Sequence, residues 1–173
     1  MVKIGNVFLL TTFSMLSFAS LLGQDAAEKG DTKKLGGYFS IVHPIVSFSK
    51  EETSYNFDGS YSVGFPTGIN YLLSEKIAFS LEFVPSITSE NGDSGVDGLL
   101  FHPGVIFRNI GGFSFLTRAA FNTNGRYGFT LVANKPIFKA ENVTYFLATP
   151  IPIRFGNEDP ASLTIGFQFG VSF

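Results

Sequence analysis

The chain has no cysteine and no tryptophan, only two histidines and two methionines, and charge on just 15% of its 173 residues. Without cysteine there is no disulfide framework, no thiolate metal site and no cysteine nucleophile. Two histidines alone do not complete a metal site, and neither His43 nor His102 has a serine or carboxylate at a sequence spacing that suggests a triad. The net charge is −2 and no basic block occurs, which excludes nucleic acid as a natural partner. A phosphate-cradling glycine loop, a nucleophile elbow and a heptad repeat are all missing. Asn91–Asp97 lacks the ligand spacing and closing glutamate of a calcium-binding loop. Beyond residue 30, no stretch keeps a helical apolar spacing for three turns. The chain therefore offers no recognisable enzyme site, no cofactor motif and no amphipathic helix.

What it has instead is phenylalanine, 21 residues, and glycine, 19 residues, in alternating patterns. The last eleven residues, LTIGFQFGVSF, show this most clearly. Leu163, Ile165, Phe167, Phe169, Val171 and Phe173 share one parity, and Thr164, Gly166, Gln168, Gly170 and Ser172 the other. Residues two apart share a face of a strand, so this segment has one apolar side and one small or polar side. A soluble sandwich can alternate in this way, and a strand between lipid and a polar lumen must.

The opening residues predict an export signal over 1–24: Lys3, an apolar run from Val7 to Leu22, and small Ser17, Ala19 and Gly23 before a cut near 19–24. Thr11, Thr12, Ser14 and Ser17 interrupt the run and disfavour a membrane-spanning helix. Residues 25–34 read as a flexible lead-in. Residues 35–173 then divide into eight segments: Gly37–Ser49, Tyr61–Leu73, Lys76–Thr88, Gly98–Arg108, Phe113–Asn122, Tyr127–Ile137, Val143–Phe155 and Leu163–Phe173. Most match the ~9–11 residues of a tilted membrane strand better than the ~5–6 common in soluble sheets. The even-numbered connections are short. Three odd ones, Lys50–Ser60, Ser89–Asp97 and Gly156–Ser162, are longer and acidic, and Asn122–Arg126 is a short exception. Such alternation is what an antiparallel up-and-down transmembrane β-barrel of eight strands gives, with both termini on the short-turn side.

Parity assigns the faces. Ile77, Phe79, Leu81, Phe83 and Ile87 oppose Ala78, Ser80, Glu82, Ser86 and Thr88, and Phe113, Phe115 and Phe121 oppose Ser114, Arg118, Ala120 and Asn122. The first segment is apolar on both parities and cannot be oriented. Charged and amide residues mostly share the parity of glycine and serine, which puts Glu82, Arg118, Arg154, Asn70, Asn134 and Gln168 in a polar lumen. Buried charges need partners, and an eight-stranded interior is only just filled by side chains, so a Glu–Arg network should plug it. Pro44, Pro66, Pro85, Pro103, Pro150 and Pro152 fall inside segments, where bulges or early strand ends are expected.

The signal, the eight segments, the turn-linked pair Gly68–Phe83 and the terminal Gly-Phe-Gln-Phe-Gly-Val-Ser-Phe resemble the small outer-membrane β-barrels of Gram-negative bacteria, the OmpA/OmpX-like type. The resemblance implies an outer-membrane location with lipid and lipopolysaccharide as partners. It also implies that Phe167, Phe169, Val171 and Phe173 form a signal read by the barrel-assembly machinery. Some such barrels modify lipid A with a rim His and Ser, and no His-x-Ser pair occurs here. The expected role is non-enzymatic, structural or surface-interacting, without cofactor or metal. A small porin and a soluble periplasmic ligand-binding barrel are the alternatives.

Overall fold

The computed structural model describes residues 34–173, so the expected export signal and almost all of the lead-in lie outside the described residues. From Leu35 onward the chain forms one antiparallel sheet: β1 (Leu35–Ser49), β2 (Thr53–Tyr55), β3 (Ser60–Gly64), β4 (Thr67–Leu72), β5 (Ile77–Glu90), β6 (Asp93–Ile110), β7 (Phe113–Asn122), β8 (Tyr127–Lys139), β9 (Thr144–Phe155) and β10 (Ser162–Ser172). From β4 onward successive strands pair as hairpins, β1 pairs with β2, β3 and β4, and β10 returns to β1 from Tyr38↔Ser172 to Ser49↔Ser162. The sheet is closed, which removes the unpaired edges that an open sheet would expose.

Ten strands are seen where the sequence pattern predicts eight. One of the extra two is β2, a three-residue strand that folds back from the first acidic connection onto the end of β1. The other arises because the second segment breaks at Phe65-Pro66 into β3 and β4, both of which lie between β1 and β5. Pro66 has no N–H to give a ladder, and its carbonyl instead accepts from Ser40 N at 2.9 Å. Ser89–Asp97 also departs from expectation. It is no open loop but the end of the β5–β6 hairpin, turning through Asn91 (φ 52°) and Gly92 (φ 88°). Asn-Gly is the pair that tolerates left-handed geometry at both central turn positions.

The other prolines act as their missing N–H requires. On β1 the register with β10 shifts between Pro44↔Gly166 and Val46↔Ile165, leaving Ile45 as an extra residue. This one-residue bulge inverts the parity of the strand. Before it, Tyr38 and Ser40 are buried while Phe39 and Ile41 are exposed. After it, Ser47 faces inward, bonded to its register partner Thr164 on β10, and Phe48 is exposed. That inversion is why the first segment reads as apolar on both faces. Pro150 and Pro152, two residues apart, aim both missing donors at the same neighbour. The β8–β9 ladder runs through them, while β9–β10 pairing stops at Leu163↔Ile153 and resumes at Gln168↔Ala148.

The faces follow parity along β5, β7 and β10, while one-residue shifts at Asp97 of β6 and Ile137 of β8 break it there. Phe79, Phe83, Phe115, Phe129, Phe167 and Phe169 are exposed on the outside, and Ala78, Ser80, Glu82, Arg118, Ala120 and Gln168 are buried within. The interior is not wholly polar. Ile106, Leu116, Val132 and Phe146 join Tyr38, Ala78 and Ala148 in an apolar cluster inside the sheet.

Candidate functional site: a polar septum in the lumen

The strand register sets charged and hydroxyl side chains directly opposite one another. Glu82 on β5 faces His102 on β6, and Arg118 on β7 faces Thr130 on β8. Glu82 Oε1 lies 2.9 Å from His102 Nδ1 and 3.4 Å from Arg118 Nη1, with all three side chains at most 5% exposed. Tyr38 reaches in from β1, its hydroxyl donating to Glu82 Oε2 at 2.6 Å and accepting from Arg118 Nη2 at 3.1 Å. This crossing needs Gly68, the residue paired with both Tyr38 and Glu82, because a Cβ there would meet the Tyr38 ring carbon Cζ at 2.5 Å. Arg118 Nη2 also donates to Ser80 Oγ at 3.2 Å.

Arg154 extends the network on the long-connection side. Its Nη2 donates to Thr130 Oγ1 at 2.9 Å and lies 3.3 Å from His102 Nε2, while Nη1 donates to Phe129 O at 2.9 Å. With the Nδ1 proton directed at Glu82, His102 Nε2 is the acceptor for the Thr130 hydroxyl at 3.0 Å. Buried ions are thus matched by opposite charge and by hydrogen bonds, the condition under which they can be kept out of water. Thr130, His102 and Glu82 have the connectivity of a nucleophile, base and acid, which sequence spacing did not reveal. Thr130 is only 2% exposed and its oxygen already accepts from Arg154, so this geometry braces β8 against β6 and β9.

Of the lumen residues expected from sequence, Glu82 and Arg118 meet directly and Arg154 joins them through His102 and Thr130. Gln168 is buried but bonds Ser40 Oγ at 2.7 Å, apart from the ions. Asn70 and Asn134 are half-buried and line a cavity beside the septum. Tyr38, Ser80, His102 and Thr130 were not anticipated as members. Tyr38 was hidden by the bulge in β1, whereas Ser80 and His102 share the parity of Glu82 and Gly104 and were legible in principle. The two histidines keep separate partners: His43 packs its ring against Phe57 and Tyr61, with Tyr61 Oη 3.3 Å from Nδ1. Among the described residues, no group of three or more His, Asp or Glu side chains is placed to hold a metal ion.

The septum divides the interior. On the side of the short turns lies a cavity of about 660 Å³, and on the side of the long connections one of about 290 Å³, with Arg118, Val132 and Gln168 lining both. At the seam, Phe173 exchanges two backbone hydrogen bonds with Gly37, each 2.9 Å. Phe167, Phe169 and Phe173 are exposed and Val171 half-buried, all in the closing strand or at its end. On the opposite rim Arg126 bridges to Asp159 at 2.6 Å, tying the β7–β8 turn to the β9–β10 connection.

The class defined by these features is an all-β closed antiparallel sheet, apolar outside and ion-paired within. No family model matches the chain, and no curated protein does either. Two solved structures, both of designed proteins, are similar to it. One is the solution NMR structure of the de novo designed TMB2.3, at TM-score 0.47 and 12% identity over 81% of this chain and 92% of that one. The other comes from the de novo design of transmembrane β-barrels, at TM-score 0.46 and 11% identity over 84% of this chain and 98% of that one.

Proposed function

We propose that the protein is an integral outer-membrane barrel of eight staves, β3 and β4 making one stave and β2 belonging to a connection. Its role on this reading is non-enzymatic, structural or surface-interacting, with the lumen plugged by the septum. The observation that carries the proposal is the inverted polarity of the sheet. Phenylalanine, isoleucine and leucine are exposed on β1, β4 to β8 and β10, while Glu82 and Arg118 are buried inside. In water this would be an apolar surface far beyond the few hundred Å² that monomers expose. Against lipid the same surface is buried. The polarity also speaks against a soluble ligand-binding barrel, which needs a polar exterior.

Short turns at one end and acidic connections at the other support a periplasmic short-turn side, with lipid and lipopolysaccharide around the outer face. Phe167, Phe169, Val171 and Phe173 then serve as the signal for the barrel-assembly machinery, and kinship with the OmpA/OmpX-like type is part of this proposal. The cavities on both sides of the septum favour one second reading, a small porin.

Membrane extraction and gel mobility test the main reading. The protein is expected to leave membranes only with detergent and to migrate differently before and after boiling, as a closed barrel held by ladder hydrogen bonds does. Solubility of the folded chain without detergent would overturn it. Planar-bilayer recordings separate the readings on the lumen: no resolved conductance steps are expected from the plugged barrel, and regular steps would establish the porin.

A further inference from the structure

The cavity on the short-turn side has a composition that the septum does not require. Its floor is formed by Tyr38 and Arg118, its wall carries Asn70, Ser114 and Asn134, and its lining also includes Arg108 and Lys139, near the ends of β6 and β8. No aspartate or glutamate lines it. The cavity across the septum differs, for its lining includes Glu82 and Asp97. Among the described residues neither Arg108 nor Lys139 enters an ion pair, so their charges are uncompensated at the cavity. Two buried polar atoms of lining residues, Arg118 Nε and Asn70 Oδ1, also have no hydrogen-bond partner. Such buried groups are as a rule hydrogen-bonded in native structures.

A volume of about 660 Å³ falls within the ~300–1,000 Å³ typical of small-molecule sites. Cationic side chains at the mouth of a cleft concentrate anions, and amide and hydroxyl groups on the wall give a polar body its hydrogen bonds. We propose that this cavity binds a small polar organic anion, a carboxylate or a phosphate ester, admitted from the short-turn end. Arg108 and Lys139 hold the oxyanion, and Asn70, Ser114 and Asn134 contact the hydroxyl or amide groups of its body. The site stands on the cavity alone, so it does not depend on which membrane, if any, surrounds the sheet.

The test is calorimetric titration of the folded full-length protein in a nonionic maltoside micelle at low ionic strength. The probes are glucose 6-phosphate, succinate and uncharged glucose. Saturable binding of one site by either anion, without binding of glucose, is the expected result, and the anion that binds names the oxyanion. The double variant Arg108→Gln/Lys139→Gln leaves the septum residues in place. It is expected to weaken binding about tenfold, the scale of two partly screened charge contacts. Unchanged boiled and unboiled gel mobility shows that the variant is folded. Failure of both anions to bind at millimolar concentration, or equal affinity in the folded double variant, would overturn the proposal. Neither result bears on detergent extraction, so this inference and the membrane reading fail separately.

Discussion

Arg118 shows how much one side chain can hold together in a closed sheet. It sits on β7, yet it contacts Tyr38 of β1, Ser80 and Glu82 of β5, and it lies opposite Thr130 of β8. Removing it would leave the Glu82 carboxylate in the interior without a cation. Arg118→Met is expected to destabilise the folded barrel by about 3 kcal/mol, near the lower end for an unpaired buried charge because Tyr38 and His102 still face Glu82. The double variant Arg118→Met/Glu82→Met should recover most of that loss, since apolar replacement of both partners removes the desolvation penalty together with the attraction. Urea unfolding in micelles measures both. If the single variant matches the parent in stability, the septum contributes no ionic bracing. The identity of Glu82 and Arg118 as interior residues was legible from parity. Their partners were not, because contact across the lumen depends on which staves face each other.

Among the elements, β1 shows how one bulge misleads a pattern. A period-two reading requires an unbroken ladder, and Ile45 breaks it at the bulge beside Pro44. The extra residue is what lets Tyr38 and Ser47 both face inward while Phe39 and Phe48 both face outward. Deleting Ile45 would remove the bulge and leave Val46, Ser47 and Phe48 in simple alternation after Pro44, with Ser47 still inward and Phe48 still outward. Retention of the heat-modifiable folded band is the expected outcome. Deleting Gly59, exposed in the connection before β3 and touched by nothing within 4 Å of a Cβ position, should leave that band intact. Loss of the band on deletion of Ile45 alone would show that closure of the sheet needs the bulge itself. Strands β5, β7 and β10 carry exposed aromatics on one parity and buried small or polar residues on the other.

For the whole molecule the decisive joint is the seam between β1 and β10, where chain ends more than a hundred residues apart must meet. Phe173 lies over Gly37, so that a Cβ on Gly37 would come 2.6 Å from the Phe173 ring. Two variants separate the seam from the proposed assembly signal. Gly37→Val obstructs closure itself and should reduce both refolding into micelles and insertion in cells. Phe173→Ala keeps the two backbone bonds to Gly37, and it should refold in micelles while failing to insert in cells. Quantifying the folded band from both preparations decides between them. Normal insertion of Phe173→Ala would remove the signalling role while leaving the fold untouched.

Alternation alone determined that this chain is β-structured, which faces most strands turn outward, and that Glu82 and Arg118 lie inside, because a strand's side-chain period is local. The split at Pro66, the short strand β2 and the Asn91-Gly92 turn depend on which backbone donors find acceptors on a neighbouring strand. So they emerge only from the paired sheet. Closure decided the rest. Bringing β10 to β1 sets Arg118 of β7 beside Tyr38 of β1, brings the Thr130 hydroxyl of β8 to His102 of β6, and leaves a carboxylate-free cavity beneath them. None of these contacts has a local spacing to betray it, since each joins residues whose separation is fixed by the circumference of the sheet.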